Sequence, residues 1–409
     1  MSNVTRQQRH VVAACYLGWT LDAFDFFIMS FALDDIAKEF SVTRTVVTWA
    51  ITLTLAARPL GAFVFGRLAD RFGRRPTLMA NVLIYSLLEF ASGFAPTLTA
   101  FLVLRALYGV AMGGEWGVGA SLTMESIPAR WRGAVSGMLQ AGYPTGYLLA
   151  TLLYRLAYSS VGWRGMFMIG VLPALLVLYI RRNVPESPDW VARRVQAPRA
   201  DFLSVVRAHL PLTIYAVVMM AAFNFFSHGT QDLYPSFLKI EHRLSVHTAS
   251  AILVCMNIAA ILGGLGFGTL SQRFGRRRSI VVAALCSLPV LPLWAFSQDP
   301  LMLGVGAFLM QLCVQGAWGI IPAHLNELSP PAIRATFPGL TYQLGNLIAS
   351  GNATLQSGIA DTYFHKNLSW AMAGVAGTVA ILIAVLVGSG REAREVRMGG
   401  DSAEGARPA

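Results

Sequence analysis

Apolar runs of about twenty residues recur along the whole chain, separated by short polar breaks, from "VVAACYLGWT" near the start to "AILIAVLVGSG" near the end. A bilayer core about 30 Å thick is crossed by roughly that many helical residues. The pattern predicts about twelve spans, over 11–33, 44–66, 76–95, 98–122, 133–158, 163–180, 209–238, 246–268, 279–296, 300–322, 335–359 and 368–389. The expected fold class is an all-α membrane protein with twelve transmembrane helices. The first run is not read as a cleaved leader: no small-residue cleavage site closes it, and it carries Asp22 and Asp25.

Composition agrees. The 409 residues are 55% hydrophobic and 13% charged, and mean hydropathy is +0.54, well above a soluble domain. The net charge of +11 changes the picture through its placement. Arg6 and Arg9 precede the first span, Arg67, Arg71, Arg74 and Arg75 follow the second, and Arg273, Arg276, Arg277 and Arg278 follow the eighth. Basic loops stay on the cytoplasmic side, so both termini are expected there and nucleic acid is not an expected partner. The intervening "LDDIAKEF" and "SQDP" are acidic or nearly uncharged. Cys15, Cys255, Cys286 and Cys313 lie inside predicted spans without metal-ligand spacing, so they read as packing residues. No nucleophile has a base nearby and no phosphate loop is present, so neither an enzyme nor a cofactor or metal is expected.

The chain repeats itself. "GRLADRFGRRP" at 66–76 returns as "GTLSQRFGRRR" at 268–278, and Trp116, Gly117, Glu125, Pro128 and Arg132 return as Trp318, Gly319, Glu327, Pro330 and Arg334, always 202 residues on. This predicts two pseudo-symmetric six-helix bundles, 1–180 and 209–390. They are joined by a charged cytoplasmic linker, 181–208, and followed by a disordered cytoplasmic tail, 391–409. Such parallel halves, with a basic loop after the second span of each, resemble the major facilitator superfamily. The resemblance implies a midplane substrate site between halves that rock around it. It also implies a cytoplasmic gate of Gly66, Asp70, Arg71, Gly73, Arg74, Arg75 and Arg132 with Gly268, Arg273, Gly275, Arg276, Glu327 and Arg334. The second copy has Gln272 where Asp70 stands, which leaves its gate charge open.

The stretch "NFFSHGTQDLYPS", 224–236, is polar within an apolar span. A rise of 1.5 Å per residue puts Asn224 roughly 22 Å along, near the middle, and Asn224, His228, Gln231 and Asp232 fall within an arc of roughly 100°. Polar side chains in hydrocarbon face a cavity or polar partners, and Pro235 loosens the helix there. The motif resembles span seven of the proton-coupled lactate and pyruvate permeases of fungi, which belong with the sialate:proton symporters. That resemblance implies a small organic anion moving with a proton, bound in part by Asn224, His228 and Gln231. Pairing with a proton makes the load neutral against the membrane potential.

For the coupled proton the candidates are Asp22 and Asp25, whose D-x-x-D spacing resembles span one of aromatic-acid:proton symporters, together with Glu115 and Asp232. Each could instead be a structural ion-pair partner. Asp22 and Asn224, 202 apart, are expected to face each other across the cavity. For the carboxylate the candidates are Arg105 and Arg155, since guanidinium binds it bidentately; Arg58 is placed nearer the gate. Gly109 and Gly113 read as a close-packing face. "GYPTG" at 142–146 is similar to the span-five motif of drug:proton antiporters, but with glycine and proline in another order. The expectation is a proton-coupled importer of small monocarboxylates such as lactate or pyruvate, monomeric, in a bacterial inner membrane. Aromatic or sugar acids are the alternative cargo, and a non-transporting receptor of the same fold is the alternative from another class.

Overall fold

The computed structural model describes residues 4–196, 201–365, 367–394, 396 and 398. Among them the chain is helical, with no strand. The first half contains α1 (Arg6–Glu39), α2 (Arg44–Phe72), α3 (Arg74–Ser92), α4 (Leu98–Ser126), α5 (Arg132–Gln140), α6 (Gly142–Ile169) and α7 (Ala174–Asn183). Two short helices follow, α8 (Pro188–Gln196) and α9 (Phe202–Ala208). The second half contains α10 (Leu210–Gln231), α11 (Tyr234–Ile240), α12 (Val246–Phe274), α13 (Arg276–Cys286), α14 (Leu291–Phe296), α15 (Pro300–Trp318), α16 (Ile321–Leu328), α17 (Thr336–Ala349), α18 (Asn352–Tyr363) and α19 (Leu368–Ser389).

Eight of the described segments are long and apolar enough to cross a membrane, or nine if the pair bent by 42° between Ile169 and Ala174 is one span. The remaining predicted spans are shorter, kinked or more polar. Residues 276–296 count among the eight although they break at Pro289 and Pro292, where α13 gives way to a 3₁₀ turn and α14. α17 and α18 are separated at Ser350 and Gly351. Within α6, Gly162 (φ 64°) interrupts the helical backbone between two predicted spans, a conformation that needs no Cβ. The polar span-seven stretch also divides, with α10 ending at Gln231 and α11 starting with Pro235 in its first turn.

The 202-residue repeat is also a geometric repeat. Arg74 donates to Glu125 from Nε (3.0 Å) and Nη2 (2.9 Å), and Arg276 donates to Glu327 with the same two distances. Gly61 would place a Cβ 1.7 Å from the Val110 carbonyl, and Gly263 would place one 2.3 Å from the Leu312 carbonyl. α2 therefore lies backbone-to-backbone on α4, as α12 does on α15. Gly109 and Gly113 belong to the first of these seams, against Thr54 and Arg58.

Both carboxylate–guanidinium pairs are buried. Removing one partner from such a pair strands the other charge and costs about 3–5 kcal/mol. Arg276→Gln is therefore expected to lower the thermal unfolding midpoint in detergent clearly. Lys38→Gln, which breaks a pair with Asp35 that is 79% and 43% exposed, should shift it little, since exposed pairs contribute about 1 kcal/mol or less.

The segment read as a linker contains α8 and α9 around residues 197–200, which lie outside the described set. α8 is held by Trp190 Nε1 donating to the Asp70 carbonyl (3.0 Å). Of the segment read as a disordered tail, the described part bonds to the body. Arg394 donates to the carbonyls of Gln272 and Arg273 (both 3.2 Å), and the Val396 carbonyl accepts from Arg132 (2.7 Å). The rest of the tail lies outside the described residues.

Candidate functional site

A cavity of about 370 Å³ lies between the halves. Its first-half wall carries Trp19, Phe26, Phe27, Arg58, Gln140, Tyr143 and Tyr147, and its second-half wall carries the motif residues of α10 with Asn257, Gln311, Gln315, Trp318, Tyr342 and Asn346. Helical periodicity accounts for the α10 contribution, with Asn224, Ser227, His228, Gln231 and Asp232 all lining the cavity. His228 is held from both sides: Nδ1 is 3.1 Å from Asp232 Oδ2 and Nε2 is 3.0 Å from Asn346 Oδ1. Gln231 Nε2 donates to Ser227 Oγ (2.9 Å) and Gln311 Oε1 (3.1 Å), and Gln311 Nε2 donates to Thr230 (3.1 Å).

Among the described lining residues, Arg58 is the only arginine or lysine. It is 3% exposed, lies over the Phe26 ring at 5.0 Å and donates to Met112 Sδ at 2.7 Å. Among the described residues no carboxylate lies within ion-pair distance of it, and its Nε has no hydrogen-bond partner. Arg58 thus stands on the cavity, not at the gate. Arg105 and Arg155 do not line it. Arg105 is buried and pairs with Glu89 at 2.7 Å, donates to Ser92 Oγ (2.8 Å) and lies over the Tyr108 ring at 4.3 Å. Arg155 is exposed on α6.

The first helix turns its aromatic face, with Trp19, Phe26 and Phe27, to the cavity. Asp22 and Asp25 do not line it; both are fully buried and no carboxylate oxygen of either has a hydrogen-bond partner. The expected juxtaposition of Asp22 with Asn224 across the cavity is therefore not what the structure shows. Glu115 is likewise buried and unpartnered, packed against Gly18, where a Cβ would fall 2.5 Å from its Oε1. Glu89 and Asp25 both approach Gly170, so Asp25, Glu89 and Arg105 adjoin. Asp232 is separate from these acids, at the cavity rim and 41% exposed.

Below Trp116, Trp318 and Tyr342 the halves touch, on the side of the basic loops. Trp116 and Tyr342 rings are 4.8 Å apart and Trp318 and Tyr342 5.5 Å. Gly117 meets Gly339, Gly137 meets the Gly264 carbonyl, and Gly66 meets Thr336, each too closely for a Cβ. Asp70 accepts from the backbone N–H of Ala335 (3.0 Å) and Thr336 (3.1 Å) and from the Thr336 hydroxyl (2.6 Å). It caps α17 of the other half. Gln272 repeats this arrangement 202 residues on, its Oε1 accepting from Gly133 N–H at 3.0 Å; the amide oxygen takes the place of the carboxylate.

Gly73 and Gly275 have φ of 114° and 95°, conformations that favour glycine. Glu186 packs against the first, accepting from the backbone N–H of Arg74 (2.9 Å) and Arg75 (3.2 Å). Burial pushes the Glu186 carboxyl above the usual range, against the pull of its backbone donors. Arg75 also donates to the Arg181 carbonyl. Arg334 bonds Asp189 at 2.9 Å, and Arg132 donates to the Met124 carbonyl at 3.1 Å. Arg71 and Arg273 instead lie exposed over the rings of Phe72 and Phe274, outside this network.

Charge-assisted hydrogen bonds are worth about 1.5–3 kcal/mol each. Asp70→Asn is expected to weaken closure on this side by about tenfold or more in conformer ratio, read by spin-label distances across the α2–α17 contact.

Sequence reasoning missed Glu89, Gln140, Asn257, Gln311, Gln315 and Asn346. A lone acid in the apolar run "YSLLEFASG" was the available signal for Glu89. Gln140, Asn257 and Asn346 stand singly on α5, α12 and α17 and gave none, whereas Gln311 and Gln315, four residues apart in the apolar α15, offered a short polar face.

Residues 15–231 match the profile of the Major Facilitator Superfamily and residues 212–390 that of the Sugar (and other) transporter family. A probable 4-methylmuconolactone transporter of Cupriavidus pinatubonensis is 31% identical, over 90% of this chain and 86% of its own. Sialic acid transporter NanX of Escherichia coli is 30% identical, over 84% and 85%. A carboxylic acid transporter protein homolog of Saccharomyces cerevisiae is 29% identical over 91% of this chain, which spans only 65% of that protein's length. The solved structure of the proton:xylose symporter XylE has a TM-score of 0.77 at 17% identity, covering 97% of this chain and 99% of that one, a likeness of fold. These matched proteins are transporters, not enzymes.

Proposed function

The chain belongs to the major facilitator superfamily, and from that premise we propose that it is a proton-coupled importer of small organic monocarboxylates, lactate and pyruvate among them. In this reading it has twelve membrane crossings, with both termini and the closed gate on the cytoplasmic side of a bacterial inner membrane. The observation that carries it is Arg58, a buried guanidinium on the cavity wall that no carboxylate among the described residues bonds. A cation in that position requires a counter-charge, and an organic carboxylate entering from the Asp232 side supplies one bidentately. The transporters of carboxylic acid, sialic acid and methylmuconolactone among its relatives support this cargo class.

Asp22, Asp25 and Glu115 serve as the proton store. They are buried behind the cavity without hydrogen-bond partners, an arrangement that disfavours leaving all of them charged. His228, Asn224 and Gln231 hold the far side of the cargo. The aromatic wall of Trp19, Tyr143, Trp318 and Tyr342 favours a second reading, in which the acid carries a ring.

The test is uptake of labelled lactate into proteoliposomes with an imposed inward proton gradient, with and without a protonophore, competed by pyruvate, benzoate and sialate. Gradient-driven uptake, competed by pyruvate and collapsed by the protonophore, supports the monocarboxylate reading. No lactate signal from folded protein sinks it, and labelled ring acids then replace lactate.

A further inference from the structure

The 202-residue repeat is uneven on the side that faces the bilayer. In the first half α2 and α4 are still in backbone contact at Gly109, where a Cβ would fall 2.2 Å from the Thr54 carbonyl. The residues 202 further on are Gln311 and Met256, and Gln311 carries the Cβ that Gly109 lacks. The α12–α15 seam is tight at Gly263, where a Cβ would fall 2.3 Å from the Leu312 carbonyl, but it has opened by Gly304, where a Cβ would meet Ile252 Cγ1 at an ordinary 3.6 Å. The same register replaces Trp49 with Ala251 and Leu102 with Gly304. The second half therefore lacks two bulky side chains where its seam parts.

The result is an apolar groove of about 430 Å³ between the ends of α12 and α15 away from the basic loops, with Ala251, Cys255, Gly304, Val305 and Phe308 on its walls. Exposed Val254, Ile258 and Leu301 lie on the same two helices, which both belong to segments long and apolar enough to cross a membrane. No lining residue is shared with the cargo cavity. From Pro300 to Leu309 the groove follows α15 for about 13 Å, close to the roughly 15 Å of hydrocarbon in one leaflet. It stops before the seam closes at Gly263, so it fits one chain's depth and not the full thickness that a neighbouring transmembrane helix crosses. Apolar walls left facing a gap lose their dispersion contacts, and water does not fill such a space. In a bilayer, hydrocarbon does. Among the described lining residues Thr248, in the first turn of α12, has the only hydroxyl, which gives the groove one polar end at the membrane boundary.

We infer that this groove seats one acyl chain of a phospholipid from the leaflet away from the basic loops, its ester end at Thr248. The chain takes the place of the two side chains present in the first half. The site goes beyond the transport reading and holds whatever the cargo is.

Native mass spectrometry of the full-length protein, purified in detergent and incubated with palmitoyl-oleoyl phosphatidylglycerol, counts the lipids retained. The wild type should keep one phospholipid per chain more than Ala251→Trp or Gly304→Leu, the two substitutions that restore first-half residues. The wild-type chain supplies a second readout that needs no variant, because Cys255 and Cys286 are both exposed and Cys255 alone of the two lines the groove. Added phospholipid should slow alkylation of Cys255 by N-ethylmaleimide severalfold relative to Cys286. Equal lipid retention by wild type and folded variants overturns the inference, and so does equal slowing at the two cysteines. A wild-type dimer that both variants lose, with no change in bound lipid, also overturns it and assigns the groove to a second copy of this chain.

Discussion

Arg58→Gln is expected to lower uptake efficiency by about 100-fold or more, with binding of the organic acid lost in parallel. Truncating one side of a buried, hydrogen-bonded charge pair costs about 2–5 kcal/mol, and among described residues no second arginine or lysine lines the cavity to compensate. Arg58→Lys keeps the charge but presents a point donor where guanidinium presents a fork. It should recover part of the binding without the full rate. Thermal unfolding separates cargo binding from folding, because Arg58 also packs on Phe26 and Met112. A variant that unfolds at the wild-type temperature yet neither binds nor transports identifies the anchor. Normal transport by a folded Arg58→Gln protein would remove the observation on which the proposed cargo class stands.

The second large effect is expected at Glu115. Its carboxyl is buried with no hydrogen-bond partner, so glutamine replaces it with nearly the same shape while removing the exchangeable proton. An imposed gradient of one pH unit is worth about 1.4 kcal/mol per proton, enough to drive about tenfold accumulation with one proton per anion. Glu115→Gln should bring internal cargo only to the external concentration, while exchange of labelled for unlabelled cargo continues at near wild-type rate. Loss of both modes would make Glu115 structural. Asp22→Asn and Asp25→Asn, assayed in the same way, apportion the coupling among the three acids.

The boundaries between apolar runs match the turns near 40–43, 73, 93–97, 241–245, 275 and 297–299, where glycine, proline and polar clusters interrupt the chain, but the breaks at 170–173, 232–233, 287–290, 319–320 and 350–351 fall inside runs read as single spans. The 202-residue register was equally legible, and it anticipated matching structures at Arg74 and Arg276. Which acid each arginine would meet was not legible, since Glu125 and Glu327 lie 51 residues further along the chain. The polar stripe of α10 was read correctly as one face because its members follow helical spacing. The face of α1 was not. In a membrane bundle the aspartates can point to a water-filled cavity or to buried partners, and periodicity is the same in both cases. Arg105 lies near Glu89, Asp25 and Tyr108, a neighbourhood assembled from α1, α3 and α4 that no single stretch reveals.

The two latches between the halves are geometric equivalents of unequal strength. Asp70 holds α17 through three bonds to a carboxylate, whereas Gln272 holds Gly133 through one bond to a neutral amide oxygen. Under the same separating load the neutral latch yields first. The pair of latches is therefore lopsided: loss of the Asp70 latch is expected to loosen the contact between the halves more than loss of the Gln272 latch.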